Sequence, residues 1–229
     1  MYWQEQEKPS IYQVPDDIVD LSFRIHCLRL PVDHAIGLCG ALHNALPWML
    51  EEDGTGIHLI HGAETGNGWQ RPDNDDYLVL SKRTRLGLRV PKQRSEDARR
   101  LCGTTLRVDD IELNIISCKE KPLSTLGTLF SRHVETRESD DEGEFLSECA
   151  KQLGDLGITP KKMLCGRLHQ LAMPDGPVNA RSLMLADLEK GEAVKLQQAG
   201  LGRRQAFGMG LFIPHKGIEA VYTEKDDKV

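Results

Sequence analysis

A chain of 229 residues with 39% hydrophobic residues and a mean hydropathy of −0.41 has room for one large cored domain or two small ones, and two small ones fit better. No apolar run approaches the roughly 20 residues that span a bilayer. The polar, acidic opening Met1-Tyr2-Trp3-Gln4-Glu5-Gln6-Glu7 is not a secretory signal, so a cytoplasmic protein without membrane attachment is expected. The net charge of −6 argues weakly against nucleic-acid binding, but phosphate recognition depends on local cations rather than on the total.

After an acidic leader over 1–17, Leu21, Phe23, Ile25 and Cys27 alternate with Ser22, Arg24 and His26, which predicts a strand over 18–30. A helix over 33–52 follows, with Asp33 as N-cap behind Pro31 and Leu38, Leu42, Ala45, Leu46 and Met49 at helical spacing; Pro47 kinks or ends it. Next come a short strand over 57–60, a polar Gly-rich loop over 62–76, a strand over 77–90, a short helix over 95–101, and strands over 105–108 and 111–117. Beyond Lys119-Glu120-Lys121-Pro122 the order restarts. A strand over 126–134 leads to a helix over 142–156, whose apolar face is Phe145, Leu146, Cys149, Leu153 and Leu156 and whose stop is Gly157. The segments 163–172 and 178–185 flank the turn Pro174-Asp175-Gly176-Pro177 as a hairpin. A helix over 188–198, a glycine loop and a strand over 207–213 complete the series.

This order is two βαββαβ units in tandem, an α+β fold of ferredoxin-like halves: an N-terminal domain over 18–120, a C-terminal domain over 121–215 and a charged tail over 216–229. A single mixed α+β domain is the alternative.

The glycine loop is Gly200-Leu201-Gly202-Arg203-Arg204-Gln205-Ala206-Phe207-Gly208-Met209-Gly210. Without a Cβ, its glycines let main-chain amides approach a ligand, and the two arginines set cations beside them, a combination suited to a phosphodiester. Nine basic residues lie between Lys82 and Arg107 against only Glu96 and Asp97, which is either a solvated face or a second phosphate footprint. The six cysteines contain no CxxC pair and read as small buried hydrophobes.

Tandem ferredoxin-like units that end in Gly-apolar-Gly, a five-residue basic insert and Gly-apolar-Gly resemble the RAMP superfamily of CRISPR-associated proteins. Within it the chain resembles the repeat-processing endoribonucleases of the Cas-six type over about residues 18–215. Gly40-Ala41-Leu42-His43-Asn44-Ala45-Leu46 is similar to the segment that carries the catalytic histidine in one branch. Other branches place it nearer the helix start, where this chain has His34 after Leu30-Pro31-Val32-Asp33. The resemblance implies tandem ferredoxin-like RAMP domains and metal-independent cleavage of precursor CRISPR RNA in the repeat, leaving 5′-hydroxyl and 2′,3′-cyclic or 3′-phosphate ends. It also implies that the protein stays on the guide RNA and joins other subunits of a type I surveillance complex.

An RNA 2′-hydroxyl is itself a nucleophile, so one histidine that moves a proton near neutrality can suffice, and no cofactor or metal is needed. Candidates for that role are His43 and His34, nine positions and therefore about 180° apart on a helix, so at most one is catalytic. His26, His58 or no histidine at all remain as alternatives. His58 and His61 lack a carboxylate or cysteine at ligand spacing, which favours a structural role over a metal site. Candidate RNA contacts are Lys82, Arg83, Arg85 and Arg132, together with Gly200, Gly202, Arg203, Arg204, Gly208 and Gly210. Arg132 is as well suited to a salt bridge with Glu135. With few aromatics, the chain fits an RNA stem better than a single strand stacked on side chains. Two other functions remain: a RAMP subunit that binds guide RNA without cutting it, and a phosphoesterase or nucleotide-binding enzyme, the latter lacking GxxxxGK[ST] and any His-x-Ser/Thr pair.

Overall fold

The computed structural model describes residues 12–61, 77–136 and 141–215. Most of the acidic leader, the loop expected over 62–76, part of the acidic stretch after Glu135 and the tail 216–229 lie outside them. Among the described residues no helix is long and apolar enough to cross a membrane.

The first half contains β1 (Ile18–His26), β2 (Arg29–Pro31), α1 (Ala35–Ala45), β3 (Gly56–His58), β4 (Tyr77–Val79), β5 (Arg85–Pro91), α2 (Ser95–Arg99), β6 (Thr105–Val108) and β7 (Ile111–Lys121). Its main sheet runs β3-β5-β1-β7-β6, every neighbouring pair antiparallel. With β6 set aside as the edge of a hairpin, this is the strand order of a βαββαβ unit. Alternation places Val19, Leu21, Phe23 and Ile25 of β1 in the core, where they meet Ala35, Leu38, Cys39 and Leu42 on one side of α1.

The second half repeats the plan with β8 (Leu129–Glu135), α3 (Glu142–Asp155), β9 (Lys162–Cys165), β10 (His169–Leu171), β11 (Val178–Ala186), α4 (Lys190–Ala199) and β12 (Ile213–Pro214). Here β12, β8 and β11 are neighbours, and β9 and β10 together fill the outer position beside β11. Asp141 caps α3 by accepting from the Glu144 amide at 2.8 Å, and Gly157 ends the segment at φ +67°. Glu189 and Glu192 form a reciprocal capping box on α4.

Several boundaries differ from the sequence expectation. Helix α1 starts at Ala35 with His34, not Asp33, in the N-cap position, and stops at Ala45 because Pro47 opens a single 3-10 turn. The strand expected over 77–90 is two strands: β4 pairs only with β2, and Lys82 and Arg83 form the turn before β5. The strand expected over 207–213 shrinks to Ile213–Pro214, since the glycines upstream hold left-handed backbone that no ladder accepts. Of the six cysteines only Cys39 and Cys149 are buried, and burial pushes both thiols up to about 12.

Two features join the halves. Arg89 of β5, 1% exposed, grips Asp20 through two hydrogen bonds of 2.8 and 3.0 Å and donates to the Gln197 and Phe212 carbonyls of the second half. Phe207 packs against both the first-half core and a small cluster of Leu171, Met173, Ala180 and Met209.

Strand β8 also carries a bulge. Pairing with β11 runs Arg181 to Val134 and then Leu183 to Ser131, so Arg132 and His133 together oppose Ser182. An extra residue of this kind turns side chains away from strict alternation. Both residues thereby reach the space between the halves.

Candidate nucleic-acid interface

The glycine loop grips the protein before it can grip anything else. Gly200 closes α4 at φ +65° and donates its amide to Leu196. The Leu201 amide donates to the Gly210 carbonyl, Gly208 to Gln205, Met209 to Arg204, and Gly210 to the His133 carbonyl in the β8 bulge. A Cβ on Gly210 would lie 1.8 Å from the Leu201 carbonyl oxygen, and one on Gly208 would lie 2.5 Å from the Leu59 side chain. These glycines let the chain approach itself and β3's neighbour Leu59. Gly202, at φ +78°, is different: nothing lies within 4 Å of where its Cβ would be.

The two arginines of the insert also part company. Arg204 makes a two-pronged ion pair with Asp175 in the hairpin turn, at 3.0 and 2.9 Å, and reaches Glu135 at 3.2 Å. It ties the loop to the turn. Arg203 is exposed, beside the exposed Gly202.

The basic run divides in the same way. Arg89 is the buried joint already described; Lys92 and Arg99 pair with Glu120, and Arg94 pairs with Glu52 and Asp97. Lys82, Arg83 and Arg85 stay exposed, and Arg85 steadies their turn by donating to the Lys82 and Thr84 carbonyls.

His43 meets the loop directly. Its Nε2 lies 3.0 Å from the Ala206 carbonyl, and its ring stands edge-on to Phe207 with centroids 5.1 Å apart. A carbonyl only accepts, so Nε2 carries the hydrogen, and in the neutral ring the lone pair is on Nδ1. Partial burial lowers the pKa of this half-buried imidazole from 6.5, and the carbonyl contact offsets only part of that.

His34 is 3% exposed, with Nδ1 2.9 Å from the Pro31 carbonyl and Nε2 accepting from the Ile60 amide at 3.2 Å. Both nitrogens are committed to holding the entry of α1 against the segment after β3. The two histidines are therefore not brought together.

A cleft of about 660 Å³ separates the halves on the His34 side, lined among others by His34, His61, Arg132, His133, Arg167 and His169. It adjoins a second one of about 380 Å³, lined by Asp20, His58, His61, Arg85, Lys121, Arg132 and His133. Burial drives His61 far below its ordinary value, with Arg132 and the neighbouring histidines adding to the effect. Asp20 would be raised by burial, but the contacts to His58 and Arg89 prevail and hold it well below the carboxylate range.

The family model described as Cas6 Crispr matches residues 19–217. The chain belongs to the Cas6 family. A CRISPR-associated endonuclease Cas6 from Myxococcus xanthus is 26% identical over 196 residues, 86% of this chain and 81% of that one. Two solved structures share the fold at TM-scores of 0.60 and 0.57, both 11% identical: a CRISPR-associated protein Cas6, with 87% of this chain and 100% of that one covered, and a RAMP protein described as binding different RNA substrates, with 85% and 98% covered. The duplicated ferredoxin-like architecture is thus that of Cas6 and RAMP proteins.

Sequence reasoning singled out Arg132 but passed over its neighbour. In this Cas6 chain His133 Nδ1 lies 2.7 Å from His169 Nε2. In the sequence only its position next to the candidate Arg132 marked it. A bulge depends on the partner strand's register, which no local pattern encodes.

Proposed function

We propose that the chain is a metal-independent endoribonuclease that binds CRISPR repeat RNA and cuts precursor CRISPR RNA into guides, remaining on its product within a type I surveillance complex. Membership of the Cas6 family supports the substrate, as do a relative named as a CRISPR-associated endonuclease and a fold neighbour described as binding RNA. The observation that carries the chemistry is the contact between His43 and the glycine loop at Ala206 and Phe207. It joins a proton-transfer group to the loop that presents Gly202 and Arg203.

His43 Nδ1 takes the proton from a 2′-hydroxyl as that oxygen bonds to the adjacent phosphorus. The bond from phosphorus to the 5′-oxygen breaks, and that oxygen takes a proton from solvent water to leave as a hydroxyl, while the proton held by His43 returns to solvent. The products are a 2′,3′-cyclic phosphate and a 5′-hydroxyl. No metal is required because the nucleophile is already held beside the phosphorus. Arg203, Gly202, Lys82, Arg83, Arg85 and Arg132 hold the RNA in this reading. Gly200, Gly208, Gly210 and Arg204 shape the loop, and His34 fixes the start of α1.

The test is incubation of purified protein with its repeat RNA in EDTA. His43→Ala is expected to slow specific cutting by about 10²- to 10⁴-fold, the usual contribution of one acid–base group, with RNA affinity nearly unchanged. His34→Ala is expected to lower the melting temperature. Unimpaired cutting by His43→Ala refutes the assignment, and binding without cutting by the wild type favours a guide-binding RAMP subunit.

A further inference from the structure

We propose that Gln205 is a positioning residue: its side-chain amide draws carbonyls of the glycine loop inward and so turns the Gly202 and Arg203 amides outward, as a two-donor cradle for a phosphate of the bound RNA. This deepens the RNA-binding reading and rests on it for the identity of the ligand.

The Gln205 side chain reaches across the loop it belongs to. Its Nε2 stands 3.0 Å from the Gly202 carbonyl, 3.3 Å from that of Ala199 and 3.5 Å from that of Leu201. Carbonyls only accept, so the end of the carboxamide among them is its NH2, which has two hydrogens to share. Gly200 leaves room for it, since a Cβ there would lie 2.8 Å from this nitrogen.

No peptide bond among the described residues is cis, and in a planar trans peptide the C=O and N–H point in opposite directions. The Leu201 carbonyl shares a peptide with the Gly202 amide, and the Gly202 carbonyl shares one with the Arg203 amide. Drawing both carbonyls toward Gln205 therefore sends both amides the other way. Among the described residues neither amide donates to any acceptor, whereas those of Leu201, Phe207, Gly208, Met209 and Gly210 all do. Gly202 and Arg203 are exposed, and an N–H without a protein partner goes to water or to a ligand.

Both residues border a cleft of about 900 Å³, which Lys195 of α4 also lines. Asp17, Glu51, Glu52 and Asp53 line it from the first half and repel a phosphodiester, which leaves the anion the side of the loop. There the Arg203 guanidinium adds a cation to its own amide. Ala206, next to Gln205, holds His43 Nε2 at 3.0 Å through its carbonyl. Gln205 thus stands between the cradle and the proposed base and fixes where a cradled phosphate lies relative to His43.

The experiment uses the full chain labelled with ¹⁵N and inorganic pyrophosphate as the probe. As pyrophosphate is added, the Gly202 and Arg203 amide protons are expected to move downfield together, while those of Leu201, Gly208 and Gly210, already engaged, stay in place. Gln205→Met keeps the length of the side chain and removes its donors. In this variant the response at 202 and 203 should vanish with the Gly208 and Gly210 resonances unmoved. A repeat RNA with 2′-fluoro sugars, which has no nucleophile, should bind it about 10- to 100-fold more weakly, the usual contribution of a hydrogen bond to a charged group. Single methylphosphonates scanned along that RNA locate the contact: at one position the neutral group should weaken binding to the wild type and leave binding to Gln205→Met unchanged, a coupling that general loosening of the fold does not produce. Wild-type amides that ignore pyrophosphate, or a variant in which they still respond, overturn the proposal. If Gln205→Met loses the wild-type melting transition, the side-chain amide protons of Gln205 in the wild type decide. They must exchange with water more slowly than those of the exposed Gln93, and equal exchange refutes the clamp. If the wild type does not bind the repeat RNA, the RNA reading fails, while the pyrophosphate response keeps or refutes the cradle by itself.

Discussion

In the proposed reaction His43 can act as a base only while it is neutral, and its surroundings favour that form. Burial against the loop disfavours the imidazolium more than the Ala206 carbonyl favours it, so the pKa falls below 6.5. The neutral form therefore persists to lower pH than in an ordinary histidine. Under single-turnover conditions with chemistry limiting, the cleavage rate is expected to hold level through neutrality and to decline only below about pH 6.5, the ordinary histidine value. A decline with rising pH instead would assign His43 to the acid role. Phe207→Ala removes the ring at 5.1 Å and lets water in, so it should move this acid limb upward. His34 and Arg204 show the opposite case. Their types suited catalysis and phosphate binding, yet partners far away in sequence, Ile60 and Asp175, already occupy them.

The glycine loop shows how the glycines of a motif can serve the fold as well as a ligand. Spacing alone located it after α4, but its amides serve Leu196, Gln205, Arg204 and the β8 bulge. Gly210→Ala should be severe, because the new carbon would meet the Leu201 carbonyl at 1.8 Å in a left-handed backbone. Gly202→Ala incurs only the left-handed penalty, about 1–2 kcal/mol, since its surroundings are open. Thermal denaturation of the two variants distinguishes them, and equal losses would refute this division of the loop. Regular elements were more legible. The alternation of β1, the capped helix α3 and the hairpin strands β6 and β7 depend on near neighbours, which local periodicity records. The break between β4 and β5 and the bulge at Arg132 and His133 depend on strands from other parts of the chain, so no window of sequence contains them.

At the scale of the whole molecule, a net charge of −6 coexists with local cations because many charges neutralise one another and Arg89 has gone inside. Its placement makes the two halves one structural problem. Replacing Arg89 with Met would leave the Asp20 carboxylate without its two-pronged partner and the Gln197 and Phe212 carbonyls without that donor. Removing one member of a buried pair typically costs about 3–5 kcal/mol. Lys92→Met, which breaks a surface pair with Glu120, should cost about 0–1 kcal/mol. Urea denaturation measures both, and similar midpoints would show that Arg89 is not a joint. The acid side supplies a second check. Because the folded pKa of Asp20 lies below its ordinary 3.8, its stabilising contribution is present above that value and disappears as pH falls through the lower one. Arg89→Met takes away the main fixed positive charge responsible, so the gap in stability between the wild type and this variant should narrow as the solution is acidified below pH 3.8.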